Sequence, residues 1–112
     1  MENKPKSFKE ITPDMVDAWK KEYPRGVHKL TVEGDKPGEE KHGYVRKPDR
    51  KEIKYGLSKA VKGDPLGMAE VIFDRVFLGG DIELVEDEDY NYGALEQLQP
   101  LIEARKGELV KI

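Results

Sequence analysis

The chain contains no cysteine, which excludes disulfides, thiolate metal sites and thiol nucleophiles and suits a reducing compartment. Histidine is almost as scarce, with His28 and His42 the two in 112 residues. One lies in a β-prone stretch and the other at the end of the loop that follows it, so they could meet across a hairpin. With no third ligand at a recognisable spacing, two surface histidines are expected rather than a metal site. Serine is limited to Ser7 and Ser58, neither in a nucleophile-elbow context, and no glycine-rich phosphate loop is present. Catalysis has no visible seat, and neither an enzymatic activity nor a cofactor is expected. No stretch approaches the roughly 20 apolar residues that a membrane span needs. The opening "MENKPKSFKE" lacks the apolar centre of a signal peptide. A cytoplasmic protein is the expectation.

Charge is what the chain has in quantity. Asp, Glu, Lys and Arg make up 38% of residues and the hydrophobic set 37%, so apolar side chains must be concentrated on a few faces if the protein is to pack. The formal net charge of -3 gives no general electrostatic reason to bind nucleic acid or an anionic membrane. The length fits one domain, which should bury roughly two thirds of the unfolded chain's surface. Residues 1–10 are polar and without periodicity and read as a flexible N-terminal arm, leaving a single domain over 11–112.

Helix start signals recur. In "ITPDMVDAWKKEYPRG", Thr12 is placed to cap a helix with Pro13 at its first position, and Met15, Val16, Trp19 and Tyr23 share one face that should dock on the core. "VHKLTV", Val27 to Val32, reads as a strand and "GYVR", Gly43 to Arg46, as its antiparallel partner, with a long mobile loop between them. Asp49 with Glu52 three residues on forms a capping box, and Ile53, Leu57, Ala60 and Val61 form a buried stripe that Gly63 terminates. Asp64 and Pro65 start the next helix, which Gly79 and Gly80 end. In the last third Leu95, Leu98, Leu101, Ile102 and Leu109 repeat as an apolar face, with Pro100 expected to kink or split the helix. The fold class is α+β: an N-terminal helix and small β-hairpin followed by a three-helix, mostly α-helical bundle.

The stretch "DPLGMAEVIFDRVFLGGD", Asp64 to Asp81, is the most apolar, with nine hydrophobic side chains. On a helical wheel Leu66, Ala69, Ile72, Phe73, Val76 and Phe77 cover a broad core face, and Glu70 and Asp74 a narrow polar one. A further group, Met68, Val71 and Leu78 with Arg75 beside it, lies on the other flank. Leaving three such side chains on water would forgo about 1.5–3 kcal/mol each. Either the Trp19 helix and the C-terminal helix cover this flank within the subunit, or Met68, Val71, Arg75 and Leu78 form a face for a partner.

Two charged segments flank that helix in sequence. "GGDIELVEDEDY" carries six carboxylates from Asp81 to Asp89. It lacks the alternating ligands and central glycine of a calcium loop, so acids favouring a helix N-terminus are the simpler reading. The basic run Arg46, Lys47, Arg50, Lys51, Lys54, with Tyr44 and Tyr55 nearby, is the one feature that resembles a nucleic-acid surface. It would equally serve to pair with the acidic segment, within the fold or across a subunit boundary.

The order of these signals, over Tyr44 to Leu109, resembles the small tail assembly chaperones of long-tailed bacteriophages and related prophages. It comprises a strand, an Arg-Lys-Pro-Asp-Arg helix start, an apolar helix begun by Asp-Pro, Gly-Gly-Asp followed by acids, and a closing helix. The resemblance implies a non-enzymatic protein of the bacterial host cytoplasm that self-associates. It would bind a tape-measure-type tail protein and coat its apolar helices until tail tube subunits displace it. Many such chaperones are also made in a longer frameshifted form. No individual residue carries over, so Met68, Val71, Arg75 and Leu78 as client contacts rest on the wheel alone. The alternative from another class is a small nucleic-acid-binding or regulatory protein using Arg46 to Lys54.

Overall fold

Three side chains start helices where the sequence predicts them. The computed structural model describes residues 4–102 and 107–112, leaving aside the side chains of residues 60, 61 and 65. Thr12 Oγ1 accepts from the Met15 N–H at 3.2 Å and opens α1, Pro13–Glu22. Asp49 and Glu52 each accept from the other's backbone N–H at 2.9 Å and open α2, Arg50–Val61. Asp64 Oδ1 accepts from the Gly67 N–H at 2.9 Å and opens α3, Pro65–Val76. Each bond satisfies a donor that helix geometry leaves without an internal acceptor. Gly63, at φ +82°, makes the left-handed stop between α2 and α3.

Strand β1, Val27–Val32, pairs antiparallel with β2, Lys41–Arg46, so that Val27 faces Arg46 and Val32 faces Lys41. The hairpin thus includes Lys41 and His42, two residues more than predicted. It also separates the histidines: His28 stands opposite Val45, and His42 stands opposite Thr31, with Nδ1 2.9 Å from the threonine hydroxyl.

The main departure lies at the end of α3. The sequence reading carries the helix to Gly79, but it stops at Val76, and Phe77–Gly80 forms β3, which completes an antiparallel sheet of order β1-β2-β3. Gly80 lies opposite Gly43 at φ +148°, and a Cβ there would stand 2.4 Å from the Gly43 Cα. The glycines that read as a helix terminator are what allow two backbones to close on each other. Beyond the strand, the Asp81 N–H donates to His42 O and its Oδ2 accepts from the His42 N–H, both at 2.9 Å.

Within residues 4–10, expected to belong to a flexible arm, Pro5, Lys6 and Phe8 are hydrogen-bonded to the end of this strand and the two residues after it. Pro5 O accepts from the Gly80 N–H at 3.1 Å, Lys6 O accepts from the Ile82 N–H at 3.0 Å, and the Phe8 N–H donates to Asp81 Oδ1 at 2.9 Å. They supply the partners that an edge strand would otherwise take from water. Phe8, in a 3-10 turn spanning Phe8–Glu10, packs on the rings of His42 and Tyr44, and Trp19 of α1 packs on Tyr44. So α1 docks on the outer face of the sheet, with none of its residues buried, and is not the helix that covers α3.

The core lies on the other face. Leu30, Val32 and Val45 of the sheet meet Ala69, Ile72, Phe73 and Val76 of α3, Phe77, Leu84, and Ala94, Leu95 and Leu98 of α5. Leu84 belongs to α4, Glu83–Glu86, a single turn that the sequence reading did not separate, and α5 runs Glu88–Ile102 with Pro100 inside it. Some apolar residues assigned to helix faces fall outside the core. Leu57 of α2 is half exposed, and Leu109 lies beyond α5, fully exposed. Ala60 and Val61, assigned to the same stripe as Leu57, lie outside the described side chains. On the free edge of β1, Gln97 Oε1 accepts from the Thr31 N–H at 3.3 Å while its Nε2 donates to Thr31 O. A side-chain amide thereby takes the place of a neighbouring strand.

Candidate functional site

Helix α3 is the natural place to look, since its apolar side chains exceed what one neighbour can cover. On the flank carrying Met68 the neighbour is α2. The helices approach closely at Gly56, where a Cβ would lie 2.7 Å from Ile72 Cδ1 and 3.1 Å from Met68 Cγ. Met68 packs partly buried against the core, and Val71 is half-buried. Arg75 is exposed, with its guanidinium 5.2 Å from the centre of the Tyr55 ring of α2. That distance suits a cation–π contact. Leu78 does not share this face. It lies on β3, past the point where the backbone turns from helix to strand, and lines a cleft with Trp19, Tyr23 and Arg75. The four predicted residues therefore divide between a seam closed by α2 and a cleft beneath α1.

On α3 itself, exposed apolar surface lies on the opposite flank. Leu66, assigned to the core face by the wheel, is 47% exposed in the first turn of α3, where it lines a groove beside α5. Across from it stands Tyr92, 57% exposed. Between them runs a groove of about 590 Å³ with Ala69 and Leu95 as its buried floor and Glu96 and Gln99 at its rim. Sequence reasoning missed Tyr92, although a signal was present. Tyr90 and Tyr92 are two apart, so on a helix they point to nearly opposite sides. Tyr90 packs against the core and donates its hydroxyl to Glu39 O at 2.7 Å, which turns Tyr92 away from the hairpin.

The basic run is partly consumed inside the fold. Arg46 grips Glu52 with two bonds of 2.7 and 2.5 Å and donates a third, of 3.0 Å, to Arg75 O. The hydrogen bond from Arg46, more than any other influence, holds the buried Glu52 carboxyl below its ordinary value. Arg50, Lys51 and Lys54 remain exposed along α2. The acidic segment pairs elsewhere: Glu83 lies 3.3 Å from Lys41, at the far end of β2 from Arg46. Asp87 Oδ1 accepts from the Asp89 and Tyr90 N–H groups at 3.0 and 3.2 Å, the helix-start role expected of an acid there. Among the described residues no group of three or more His, Asp or Glu is placed to hold a metal ion, and no helix is long and apolar enough to cross a membrane.

Comparison with protein-family models, curated proteins and solved structures found no match.

Proposed function

We propose that this protein is a non-enzymatic assembly chaperone or adaptor that masks apolar helices of a partner, of the kind the sequence resemblance implies for a tape-measure-type tail protein. The observation that carries the reading is the α3–α5 groove. Leu66 and Tyr92 flank a floor of Ala69 and Leu95, and the rim residues Glu96 and Gln99 are polar. An apolar cleft between two helices, with polar margins, is the form that helix-in-groove recognition takes. The residues Met68 and Val71 support the reading less than their sequence positions suggest, since α2 partly covers that flank. Nucleic-acid binding through Arg46 to Lys54 is also less well supported, because Arg46 is already held by Glu52.

The test is a titration of this protein with peptides that reproduce apolar helices of a tape-measure-type tail protein, followed by calorimetry. Wild type should bind, and Leu66→Glu and Tyr92→Glu should lose binding while keeping the wild-type circular dichroism and melting temperature. Failure of wild type to bind any such helix, or equal binding by the two variants, would overturn the reading.

A further inference from the structure

Residues 4–23 are held on by different means from the rest of the chain. None of them is buried, and the core begins at Leu30. Hydrogen bonds fasten them to the end of β3 and the residues after it: Pro5 O and Lys6 O accept from the Gly80 and Ile82 N–H groups, and the Phe8 N–H donates to Asp81 Oδ1. Ring contacts add to this. The Phe8 ring centre lies 4.8 Å from that of His42 and 6.0 Å from that of Tyr44, and Trp19 of α1 lies 5.7 Å from Tyr44. A hydrogen bond that replaces one to water contributes little net stability, whereas the core beneath is closed by apolar burial.

The bonds along this edge alternate. Gly80 and Ile82 donate outward to the strap, whereas the Asp81 N–H between them donates inward to His42 O at 2.9 Å. The Asp81 carboxylate divides in the same way, with Oδ1 on Phe8 and Oδ2 on His42. The sheet therefore keeps its own bonds when the strap leaves. A fixed point follows directly after α1: the Arg25 guanidinium donates to Pro48 O at 3.2 Å, and Gly26 O accepts from the Lys47 N–H at 3.0 Å. We propose that residues 4–23 open as a unit about Pro24, and that the edge they uncover, Gly80 to Ile82, is a strand-addition site for an extended peptide of a partner protein. The strap displays the pattern that the edge takes. It offers two successive carbonyls and then, two residues on, an N–H on a residue whose aromatic ring lies against His42 and Tyr44. Main-chain bonds at a sheet edge, with a pocket for one side chain, are how such peptides are held. The strap keeps the site closed within the same molecule, so the partner has to displace it. This edge is separate from the α3–α5 groove and does not depend on it.

Amide hydrogen exchange on the full chain, followed residue by residue by NMR, tests both parts. Freed from the sheet, α1 has 10 residues, too few for an isolated helix to persist in water. The Tyr23 N–H, bonded to Trp19 O, should therefore exchange through the same opening as Gly80 and Ile82. All three should exchange at least about 100-fold faster than Ile72 and Phe73, while Asp81 stays protected between its two neighbours. Phe8→Ala should speed Gly80 and Ile82 by about a further tenfold, the worth of an aromatic contact, and leave Asp81 and Phe73 unchanged. A synthetic peptide of residues 4–11, added to that variant, should slow Gly80 and Ile82 again, and the same peptide carrying Phe8→Ala should not. Equal protection at Gly80, Asp81 and Ile82 would overturn the proposal, as would a wild-type peptide without effect. Protection at this edge that rises with protein concentration would assign it to a second copy and overturn the proposal as well.

Discussion

The two flanks of α3 are built from equally apolar residues, yet one is closed and the other open. On the closed side α2 comes near enough for Gly56 to sit against Ile72 and Met68, and the Arg46–Glu52 pair binds the start of α2 to the end of β2. On the open side α5 is held toward β1 instead. Gln97 grips Thr31, and a Cβ at Gly93 would stand 2.7 Å from Val32 Cγ1, so the helix leans on the strand and leaves Leu66 and Tyr92 apart. The apolar character of the two flanks does not separate these outcomes. Where the neighbouring helix is fastened does.

Four substitutions would break or sharpen that contrast. The largest effect belongs to Ile72→Ala, at a side chain with no exposure in the closed seam. It should cost about 4 kcal/mol in urea unfolding, since truncating a fully buried side chain loses its transfer free energy and leaves a cavity. Next is Arg46→Met, which leaves the Glu52 carboxylate buried without its cation and should cost roughly 3 kcal/mol near neutral pH. Its pH dependence has a definite sign. The folded-state value of Glu52 is lowered from an ordinary 4.5, first by the hydrogen bond from Arg46. The stabilisation is therefore fully present above about pH 4.5 and fades as pH falls through the lowered folded value. The gap between wild type and Arg46→Met should narrow accordingly when unfolding is repeated at about pH 3. A gap that stays constant would mean that Arg46 acts by packing rather than by charge.

Smaller effects belong to the open side. Gln97→Ala should cost about 1 kcal/mol and should speed amide hydrogen exchange at Thr31 more than at Leu30, whose N–H faces β2. Smallest is Leu66→Glu, which should stay within about 0.5 kcal/mol of wild-type stability because the side chain is half exposed. A large loss there would mean that the groove is core and would remove the proposed client site.

Much of this fold could be read from short-range chemistry. Thr12, Asp49 and Asp64 were legible as caps because a cap depends on one side chain and a backbone N–H two or three residues away. The strand pair was legible from β-branched alternation and a polar loop between the two strands. The third strand was not, because "FLGG" carries too few residues to show a period, and its glycines serve equally to end a helix or to let backbones touch. Docking of residues 4–10 was hidden for a related reason: Pro5 and Lys6 contribute backbone carbonyls, which no side-chain pattern announces. Among the candidate partner residues, Arg75 is exposed on α3, whereas Leu78 was assigned a helical direction and lies on β3.

By itself the sequence determined where α1, α2 and α3 begin, which segments pair as a hairpin, the α+β class, and that α3 carries more apolar surface than a single neighbour can cover. Only the tertiary structure decided which part of that surface stays open. Caps and periodicity act over a few residues of one chain segment. The choice between a sealed seam and a groove depends on distances between α2, α3, α5 and β1, which are set by contacts such as Arg46–Glu52 and Gln97–Thr31 between residues far apart in the chain or on different elements.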